Sequence, residues 1–294
     1  MAKKVGVIGS GIIAHEHVRA YKESGRAEVA ALVDIDKEKA SSLAKELGTP
    51  CAIFQDYREL LGIDLDAVSI CTPNDSHSPI AIDFLNNGKH VLCEKPMAIN
   101  VQDAKLMREA AERSGMILRI AFHNRFRGDS QALKKIVKSG ALGEVYHFKA
   151  SVIRRRGIPA LGSWFTQKRS AGGGALLDVG CHILDLALWF AGFPKPKTVS
   201  ASNYTKFGNR KDYIYLSMWG KPAKERKFDV EDTVFAFIRF ERMSAILECS
   251  WAANTEDSLC LNLLGTEAGA KLSGDNLELF TTYHGQIADI KPLY

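Results

Sequence analysis

The sequence lacks several signatures of common protein classes. Its six cysteines form no Cys-x-x-Cys pair and no zinc-finger spacing, so we expect no metal site, and several lie in apolar, strand-like runs. No apolar run approaches membrane-spanning length, and the N-terminus has no signal-peptide core. These absences predict a soluble, cytoplasmic protein with reduced cysteines and no membrane partner.

Length and charge set further limits. The 294 residues suggest about two domains, and 46% hydrophobic residues are enough to bury a full core. The formal net charge of +5 is mild, and basic residues are scattered apart from 154–156 and 221–227. Without an RNA-binding aromatic signature, we expect no nucleic-acid partner; an anionic cofactor or a solvated face explains the charge.

The first strand leads into a glycine-rich turn. Residues 5–8 are apolar, and Gly9-Ser10-Gly11-Ile12-Ile13-Ala14 opens a helix, which is the G-x-G-x-x-A form of the dinucleotide fingerprint. Gly9 permits the tight turn, and Gly11 lets the backbone approach a pyrophosphate at the helix N-terminus. The candidate cofactor contacts at this turn and at the end of the next strand are Gly9, Gly11, Ile12, Ile13, Asp34 and Ile35.

Asp34 bears on the choice of cofactor. It ends the second strand, 29–33, at the distance expected for a carboxylate that binds the adenosine ribose hydroxyls. A plain helix cap is the alternative reading. Because a carboxylate there repels a 2′-phosphate, NAD is the predicted cofactor, with NADP as the alternative where neighbouring basic residues override that preference.

Strands and helices alternate through the first 121 residues. Further strands are predicted at 66–71, 89–93 and 116–121, with helices at 37–47, 78–87 and 101–113. This alternation predicts an α/β fold with a doubly wound parallel sheet. Because ligands bind at the carboxyl ends of the strands in such sheets, polar residues at those ends are candidates for the site.

Two of these strand ends carry polar motifs. Thr72-Pro73-Asn74 with His77 follows one strand, and Glu94-Lys95-Pro96 follows the next. The proline holds the Lys95 ammonium at the sheet edge, where it could hydrogen-bond a substrate oxygen and stabilise negative charge. A turn lysine neutralised by Glu94 is the alternative.

A triple glycine, Gly172-Gly173-Gly174, precedes an apolar run with helical spacing. Asp178 and His182 lie four residues apart, so they share one face of the predicted helix, and Asp185 continues that face. A carboxylate beside an imidazole suits a general base. A buried histidine tied to an aspartate for structural reasons is equally compatible with the pattern.

From about residue 123 the pattern changes to consecutive strands without helices between them. Strands are predicted at 145–153, 198–203, 233–240, 244–251, 259–264 and 277–281, and such a series indicates an antiparallel sheet. The strand 233–240 is apolar on both faces. We therefore expect the sheet face away from the helices to be buried by another subunit or by loops.

In order and spacing these motifs resemble the glucose–fructose oxidoreductase / inositol dehydrogenase / MocA (Gfo/Idh/MocA) family of NAD(P)-dependent sugar oxidoreductases. The resemblance extends from Val5 to about Gly269 and includes His123-Asn124-Arg125-Phe126. It implies a Rossmann domain, residues 1–122, and an α+β domain, residues 123–294, whose open, mostly antiparallel sheet mediates homo-oligomers. Relatives commonly continue beyond the strand near 264, so this domain could be shortened at its C-terminus.

The resemblance also implies residue roles. Lys95, Asp178 and His182 would meet over the nicotinamide. His182 would be the acid/base, Asp178 its partner or a substrate hydrogen-bonder, and Lys95 the cation that binds the reacting oxygen. The Lys95–Pro96 peptide is often cis in such proteins. Other implied contacts are Thr72, Pro73, Asn74 and His77 along the cofactor and Glu94 near the nicotinamide ribose.

Loop residues supply further candidates for the substrate. Arg156 and Trp164 lie between a strand and the glycine-opened helix, where a guanidinium and an indole would suit carboxylate, phosphate or sugar-ring contacts. A solvated basic loop with a packed tryptophan is the alternative. Arg125 is a better candidate because it belongs to a motif that matches the family.

The predicted reaction is oxidation of a secondary hydroxyl of a sugar, inositol or sugar derivative by NAD(P). Transient oxidation by bound NAD, giving hydrolysis or epimerisation without net redox, is one alternative. A non-enzymatic, dinucleotide-binding regulator is another, although a binder needs no Lys95–Asp178–His182 set. The sequence does not specify the sugar.

Overall fold

The computed structural model describes residues 2–216 and 218–294 and divides into two compact units. The first unit contains the residues up to 121 together with 169–172, and the second contains 122–168 and 173–294. The short segment 169–172 therefore packs with the first unit although its neighbours in sequence belong to the second.

The first unit is built on a six-stranded parallel sheet in the order β3-β2-β1-β4-β5-β6. This is the strand order of doubly wound dinucleotide-binding domains, so the predicted fold of this half is confirmed. The apolar strands are buried on both faces, with one core cluster on each side of the sheet. Its elements are β1 (Lys3–Ile8), α1 (Ile12–Ser24), β2 (Ala27–Val33), α2 (Lys37–Glu46), β3 (Ala52–Phe54), β4 (Ala67–Ile70), α3 (His77–Asn86), β5 (His90–Cys93), α4 (Val101–Ser114) and β6 (Leu118–Ile120).

The second unit is built on an eight-stranded sheet in the order β14-β13-β12-β11-β7-β10-β9-β8. Only β7 and β10 pair in parallel, and the other neighbours are antiparallel, which confirms the predicted open, mostly antiparallel sheet. Its elements are α5 (Gly128–Lys138), β7 (Val145–Ile153), α6 (Lys168–Ala171), α7 (Cys181–Ala191), β8 (Thr198–Tyr204), β9 (Thr233–Arg239), β10 (Ser244–Ser250), β11 (Ser258–Gly265), β12 (Ala268–Ser273), β13 (Asn276–Tyr283) and β14 (Gln286–Ile290).

The two faces of this sheet differ in burial. Helix α7 packs on one face, where Phe148 and Leu247 belong to a single core cluster with Ile183 and Phe190 of the helix. The opposite face carries Phe235, which is 42% exposed. Successive side chains of a strand point to opposite faces of the sheet, so the same strands supply both the buried and the exposed side chains.

Three strands differ from the sequence-based expectation. The pattern does not predict β3, which has only three residues, nor β12 and β14. Strands β12, β13 and β14 continue the sheet after residue 265 as an antiparallel meander. β3 has three residues, β12 is rich in small residues and β14 is mostly exposed, so none of them shows a clear alternation of apolar and polar residues.

The helical stretch Lys168–Ala191 contradicts the expectation that no apolar run approaches membrane-spanning length. By length and composition alone it could cross a membrane. Its α7 residues Ile183, Leu186, Ala187 and Phe190 are buried against the sheet of the second unit. A helix that is apolar because it lies in a domain core passes the same test.

Candidate active site

The glycine turn after β1 combines one tightly packed glycine with one open one. Gly9 has φ +90°, and a Cβ placed on it would stand 2.6 Å from the carbonyl oxygen of Cys71. Gly11 is the N-cap of α1, and a Cβ there would meet no atom within 4 Å. That open space beside the helix N-terminus fits the diphosphate of a dinucleotide, which binds the first backbone N–H groups of such a helix.

Asp34 lies directly beside this turn. Its Oδ2 accepts a hydrogen bond from the backbone N–H of Ser10 at 2.8 Å, and its Oδ1 accepts one from Asp36 at 2.9 Å. Each carboxylate oxygen has a second lone pair for a further donor. The carboxylate is thereby fixed at the carboxyl end of β2, where ribose hydroxyls could donate to it. Ile12 and Ile35, on either side, are largely exposed.

Two residues of the 72–77 loop are engaged with the protein backbone. The buried Asn74 amide donates to the carbonyl oxygen of Ala171 at 2.9 Å and so holds segment 169–172 against the first unit. The fully buried His77 places its ring nitrogens 2.8 Å from the Pro96 carbonyl oxygen and 3.0 Å from that of Thr72. Both side chains therefore hold this loop in place through hydrogen bonds to backbone carbonyl oxygens, a role the sequence does not indicate.

Burial lowers the pKa of His77, which favours the neutral ring. A neutral imidazole carries one N–H, so it donates to only one of the two carbonyl oxygens at a time. The peptide bond between Lys95 and Pro96 is cis, as the family resemblance implies.

Glu94 is the centre of a buried hydrogen-bond network. Its Oε1 lies 2.9 Å from Nε2 of His17 on α1, and its Oε2 accepts from the Lys95 backbone N–H at 3.2 Å. His17 Nδ1 is 3.1 Å from the Ser69 hydroxyl, which also contacts the Tyr21 hydroxyl at 2.7 Å. The network ties the turn that presents Lys95 to the helix that begins at the glycine turn.

The charge of Glu94 is stabilised despite its burial. Burial alone would raise the pKa of Glu94, but the hydrogen bond and charge of His17, together with the charge of Lys95, outweigh it. The pKa therefore lies below its ordinary value, and Glu94 is a carboxylate at neutral pH. The family resemblance implies a cofactor contact for Glu94, and the sequence does not indicate His17 as its partner.

The triple glycine is required by close contacts within the protein. Gly172 has φ +80°, and a Cβ there would stand 2.7 Å from Ile99. A Cβ on Gly174 would stand 1.8 Å from the carbonyl oxygen of Glu231. Close packing against Ile99 and the Glu231 backbone therefore explains why glycine occupies positions 172 and 174.

Glu231 caps the helical segment that follows the glycines. Its Oε1 accepts hydrogen bonds from the backbone N–H groups of Gly174 at 2.9 Å and Leu176 at 3.1 Å, and its carbonyl oxygen accepts from Ala175 at 3.1 Å. Helix N-termini leave such N–H groups without intrahelical partners, and a carboxylate there also interacts favourably with the helix dipole. Glu231 is remote in sequence, so no local capping pattern reveals it.

Asp178 lies in a π-helical turn, Leu176–Gly180, that runs into α7, whereas an ordinary α-helix is predicted there. The indole N–H of the fully buried Trp251 donates to Asp178 Oδ2 at 2.8 Å. Gly180 lets the turn lie on β10, since a Cβ there would stand 3.0 Å from the sulfur of Cys249. His182 follows in the first turn of α7, and both side chains are half-buried.

A short 3-10 turn, His123–Phe126, contacts the same face of α7 twice. Arg125 forms a bidentate ion pair with Asp185, in which Nε donates to Oδ2 at 2.7 Å. The ring of His123 meets the ring of His182 edge-on, with centroids 5.0 Å apart. The Arg125 guanidinium, a predicted substrate contact, is therefore already paired with a carboxylate of its own unit.

The two predicted substrate residues of the loops have neighbours of their own. The Arg156 guanidinium donates to the Asn254 side chain at 3.0 Å and lies over the rings of Phe207 and Tyr213, at 5.6 and 5.9 Å from their centroids. Trp164 stacks on Phe165 with centroids 3.8 Å apart, and both rings are half-buried. Phe207 and Tyr213 belong to the long segment between β8 and β9, whose part in this arrangement the sequence does not reveal.

No group of three histidine, cysteine or carboxylate side chains within residues 2–216 and 218–294 is arranged to hold a metal ion. The groups that gather in the first unit are suited to a dinucleotide: an open helix N-terminus, a carboxylate beside it, and a lysine after β5. Those of the second unit, an aspartate held by an indole and a histidine one turn later, are suited to proton transfer.

Two family descriptions match successive parts of this chain. Residues 3–122 match a family described as an oxidoreductase family with an NAD-binding Rossmann fold, and residues 130–271 match the GFO/IDH/MocA C-terminal domain. The chain is 36% identical to D-glucoside 3-dehydrogenase of Escherichia coli (strain K12) over 97% of its own length and 83% of that protein's.

Two further comparisons are informative. The chain is 33% identical to glucose-6-phosphate 3-dehydrogenase of Bacillus subtilis (strain 168) over 64% of its own length and 53% of that protein's. A levoglucosan dehydrogenase solved with NADH and levoglucosan shares the fold, with a TM-score of 0.89 at 24% identity over 100% of this chain and 80% of the other. The chain therefore belongs to the GFO/IDH/MocA family and is an NAD-binding oxidoreductase.

Proposed function

We propose that this protein oxidises a secondary ring hydroxyl of a sugar or sugar derivative, with His182 as the acid/base. The observation that carries the proposal is the fixed Asp178 carboxylate, held by Trp251, one turn before His182. A binding protein would need no such pair, because binding a dinucleotide requires no proton acceptor and no carboxylate paired with that acceptor. Bound NAD supplies the hydride acceptor.

The protein's own groups then handle the proton and the developing charge. A neutral His182 accepts the hydroxyl proton, and the Asp178 carboxylate orients the substrate or stabilises the resulting imidazolium. The Lys95 ammonium binds the reacting oxygen as negative charge develops on it. In this proposal residues 1–122 bind the cofactor through Gly9, Gly11, Asp34 and Glu94, and residues 123–294 bind the sugar.

The substrate class follows from two of the relatives. Both are named for oxidation at position 3 of a glucosyl unit, in one case a glucoside and in the other a sugar phosphate. We therefore expect a pyranose with an equatorial 3-hydroxyl to be oxidised. A panel of glucosides, free hexoses, hexose 6-phosphates and inositols, each with NAD and with NADP, would identify the substrate and test the predicted preference for NAD.

Variants at the reacting groups test the mechanism. Lys95→Ala and His182→Ala should each lower kcat by roughly 10²–10⁴-fold while NAD binding, followed by protein fluorescence, stays near that of the parent. A matched control is His284→Asn, at an exposed histidine whose φ of +50° asparagine tolerates. Turnover at the parent rate in either variant would show that the assigned role is wrong.

The same assay separates the alternatives. Release of one NADH per sugar oxidised, measured by absorbance, supports net redox. Product formed without NADH release would indicate transient oxidation leading to hydrolysis or epimerisation. Tight NAD binding with no turnover on the whole panel would indicate a regulator.

We also propose that the enzyme is cytoplasmic and a homo-oligomer, and the outer face of the second sheet supports the oligomer. Phe235 on β9, Leu264 on β11 and Phe280 on β13 are each 40–42% exposed on that face. Apolar side chains spread over one flat sheet face are typical of subunit interfaces. Light scattering should give a mass above 32.4 kDa, and Phe235→Glu should lower it. A monomeric parent protein would exclude this arrangement.

A further inference from the structure

The turn His123–Phe126 brings a second imidazole to the proposed acid/base. The rings of His123 and His182 have centroids 5.0 Å apart and planes inclined by 62°. At this separation and inclination the edge of one ring touches the other. His123 is exposed to solvent, whereas His182 is half-buried. The more exposed imidazole thus touches the less exposed one.

The ion pair between Arg125 and Asp185 holds the His123 ring in its contact with His182. The Arg125 guanidinium forms a bidentate pair with Asp185, one turn after His182 on α7, and the pair is largely buried on the aspartate side. Planar bidentate pairs of this kind restrict both position and orientation. Because His123 and Arg125 belong to one short turn, the ion pair holds the His123 ring against His182.

A second aromatic ring, that of Phe122, also lies beside His182. The ring of Phe122 meets it edge-on at 6.4 Å and carries no group that can accept a proton. The Asp178 carboxylate accepts the indole N–H of the buried Trp251. A carboxylate fixed one turn before the histidine favours proton acceptance by that histidine.

We propose that His123 relays the substrate proton from His182 to solvent, an inference that rests on the proposed dehydrogenase function. In each turnover the carbinol C–H bond breaks and its hydride goes to the nicotinamide, while the O–H bond breaks and its proton goes to His182. The ketone and NADH are formed at this point. His182 then passes the proton to His123, which releases it to water or buffer and leaves His182 neutral for the next substrate.

The chemistry of the two rings suits this transfer. An imidazole ring can both accept and release a proton, so a proton can pass from one ring to the other. An exposed ring exchanges protons with buffer directly. A half-buried ring without such a neighbour depends on the slower entry of a water or buffer molecule.

His123→Phe tests the relay because it keeps an aromatic ring at the contact and removes only the titratable nitrogens. In dilute buffer, steady-state kcat should fall about tenfold, within the range of effects attributed to positioned proton-transfer groups. The first turnover of NADH formation, measured by stopped flow, should match that of the parent, because His182 starts neutral. Added imidazole should restore the steady-state rate, as a diffusible base replaces the missing ring.

Two further measurements keep the test decisive. His123→Asn removes the ring altogether and should show the same rescue by imidazole, while the control His284→Asn should not respond to buffer. NAD binding by fluorescence should be unchanged in every variant. A parallel loss of first-turnover and steady-state rates, without rescue, would assign His123 a packing role and overturn the relay.

Different results would exclude the relay and the proposed function. An active parent enzyme with a His123→Phe variant of equal rate in dilute buffer would exclude the relay alone. A parent that forms no NADH with any sugar would overturn both.

Discussion

The indole nitrogen of Trp251 lies 2.8 Å from Oδ2 of Asp178, and the two residues are 73 positions apart in the sequence. Trp251 directly follows β10 and is fully buried. The hydrogen bond therefore joins the C-terminal end of β10 to the π-helical turn before α7. It fixes the aspartate that lies four residues before the proposed acid/base.

Replacing Trp251 by phenylalanine should lower kcat more than it raises KM. The substitution removes a hydrogen bond to a charged group, worth about 1.5–3 kcal/mol, which corresponds to about ten- to hundredfold in rate if it acts in the transition state. Steady-state kinetics and a thermal melt measure the two effects. Trp189→Phe, at a half-buried tryptophan of α7, is the control for loss of an indole from the same unit. Equal kcat in both variants would contradict a role for the Trp251 hydrogen bond.

The parts of the molecule that follow from local pattern could be predicted. The sheet order of the first unit follows from alternating strands and helices, and the positions of Gly9, Gly11 and Asp34 follow from one continuous stretch. The helix bearing Asp178 and His182 was also predicted, although its first turn is π-helical. Each of these features depends on residues that are close in sequence.

The parts that depend on distant contacts could not be predicted. Glu231 caps a helix start 57 residues earlier, and His17 pairs with Glu94 across 77 residues. No periodicity or motif encodes such pairs, because each partner alone is an ordinary polar residue on a loop or a helix. The triple glycine was noticed for its composition, but its reason lies in the backbone of Ile99 and Glu231.

Glu231→Ala should weaken the start of the helical segment that carries Asp178 without changing cofactor binding. It removes the oxygen that accepts two backbone N–H groups, at a cost of about 0.5–2 kcal/mol, and frees the start of the segment that carries Asp178. We expect a lower melting temperature and kcat, with NAD affinity unchanged because the cofactor groups lie in the other unit. Glu231→Gln keeps an acceptor oxygen and should restore most of both losses.

The control for this cap is Glu225→Ala, at a glutamate whose side chain is 81% exposed on the same segment. It should behave like the parent. If Glu231→Ala lowers the melting temperature but leaves kcat at the parent value, the cap is structural and does not position Asp178.

The pair of Glu94 and His17 should make stability depend on pH. Glu94 binds its proton more weakly in the folded protein than in the unfolded chain, where a glutamate titrates near ~4.3. Between the two pKa values the unfolded chain holds more protons, so the free energy of unfolding rises with pH there. The contribution of Glu94 is therefore present above the unfolded pKa and is lost as pH falls through the folded one.

His17→Phe removes the main partner of this buried carboxylate. It should lower the free energy of unfolding by about 1–3 kcal/mol at neutral pH, and by less at acid pH, where Glu94 is protonated in both states. Urea unfolding at a series of pH values measures the difference. Ala20→Gln, at an exposed position of the same helix, changes no titratable group and should give a constant difference from the parent. A loss of unfolding free energy that does not change with pH would mean that His17 acts by packing alone.

The glycines of the first turn allow a matched pair of variants with opposite outcomes. Gly9→Ala places a Cβ 2.6 Å from the Cys71 carbonyl oxygen at a φ of +90°, so it should destabilise the first unit by more than the ~1–2 kcal/mol of a left-handed residue alone. Gly11→Ala meets no protein atom within 4 Å and has φ −78°, so it should destabilise far less, by no more than the ~1 kcal/mol that separates alanine from glycine at an N-cap.

The same Gly11→Ala variant should nevertheless bind NAD at least about tenfold more weakly, because its methyl group occupies the space through which the diphosphate approaches the backbone. Fluorescence titration with NAD and a thermal melt of the free protein measure the two properties separately. Gly62→Ala, at a glycine of the first unit where a Cβ also meets no atom within 4 Å, is the control and should change neither. Parent-like NAD affinity in Gly11→Ala would place the diphosphate elsewhere, since a cofactor seated on the N-terminus of α1 cannot avoid that methyl group.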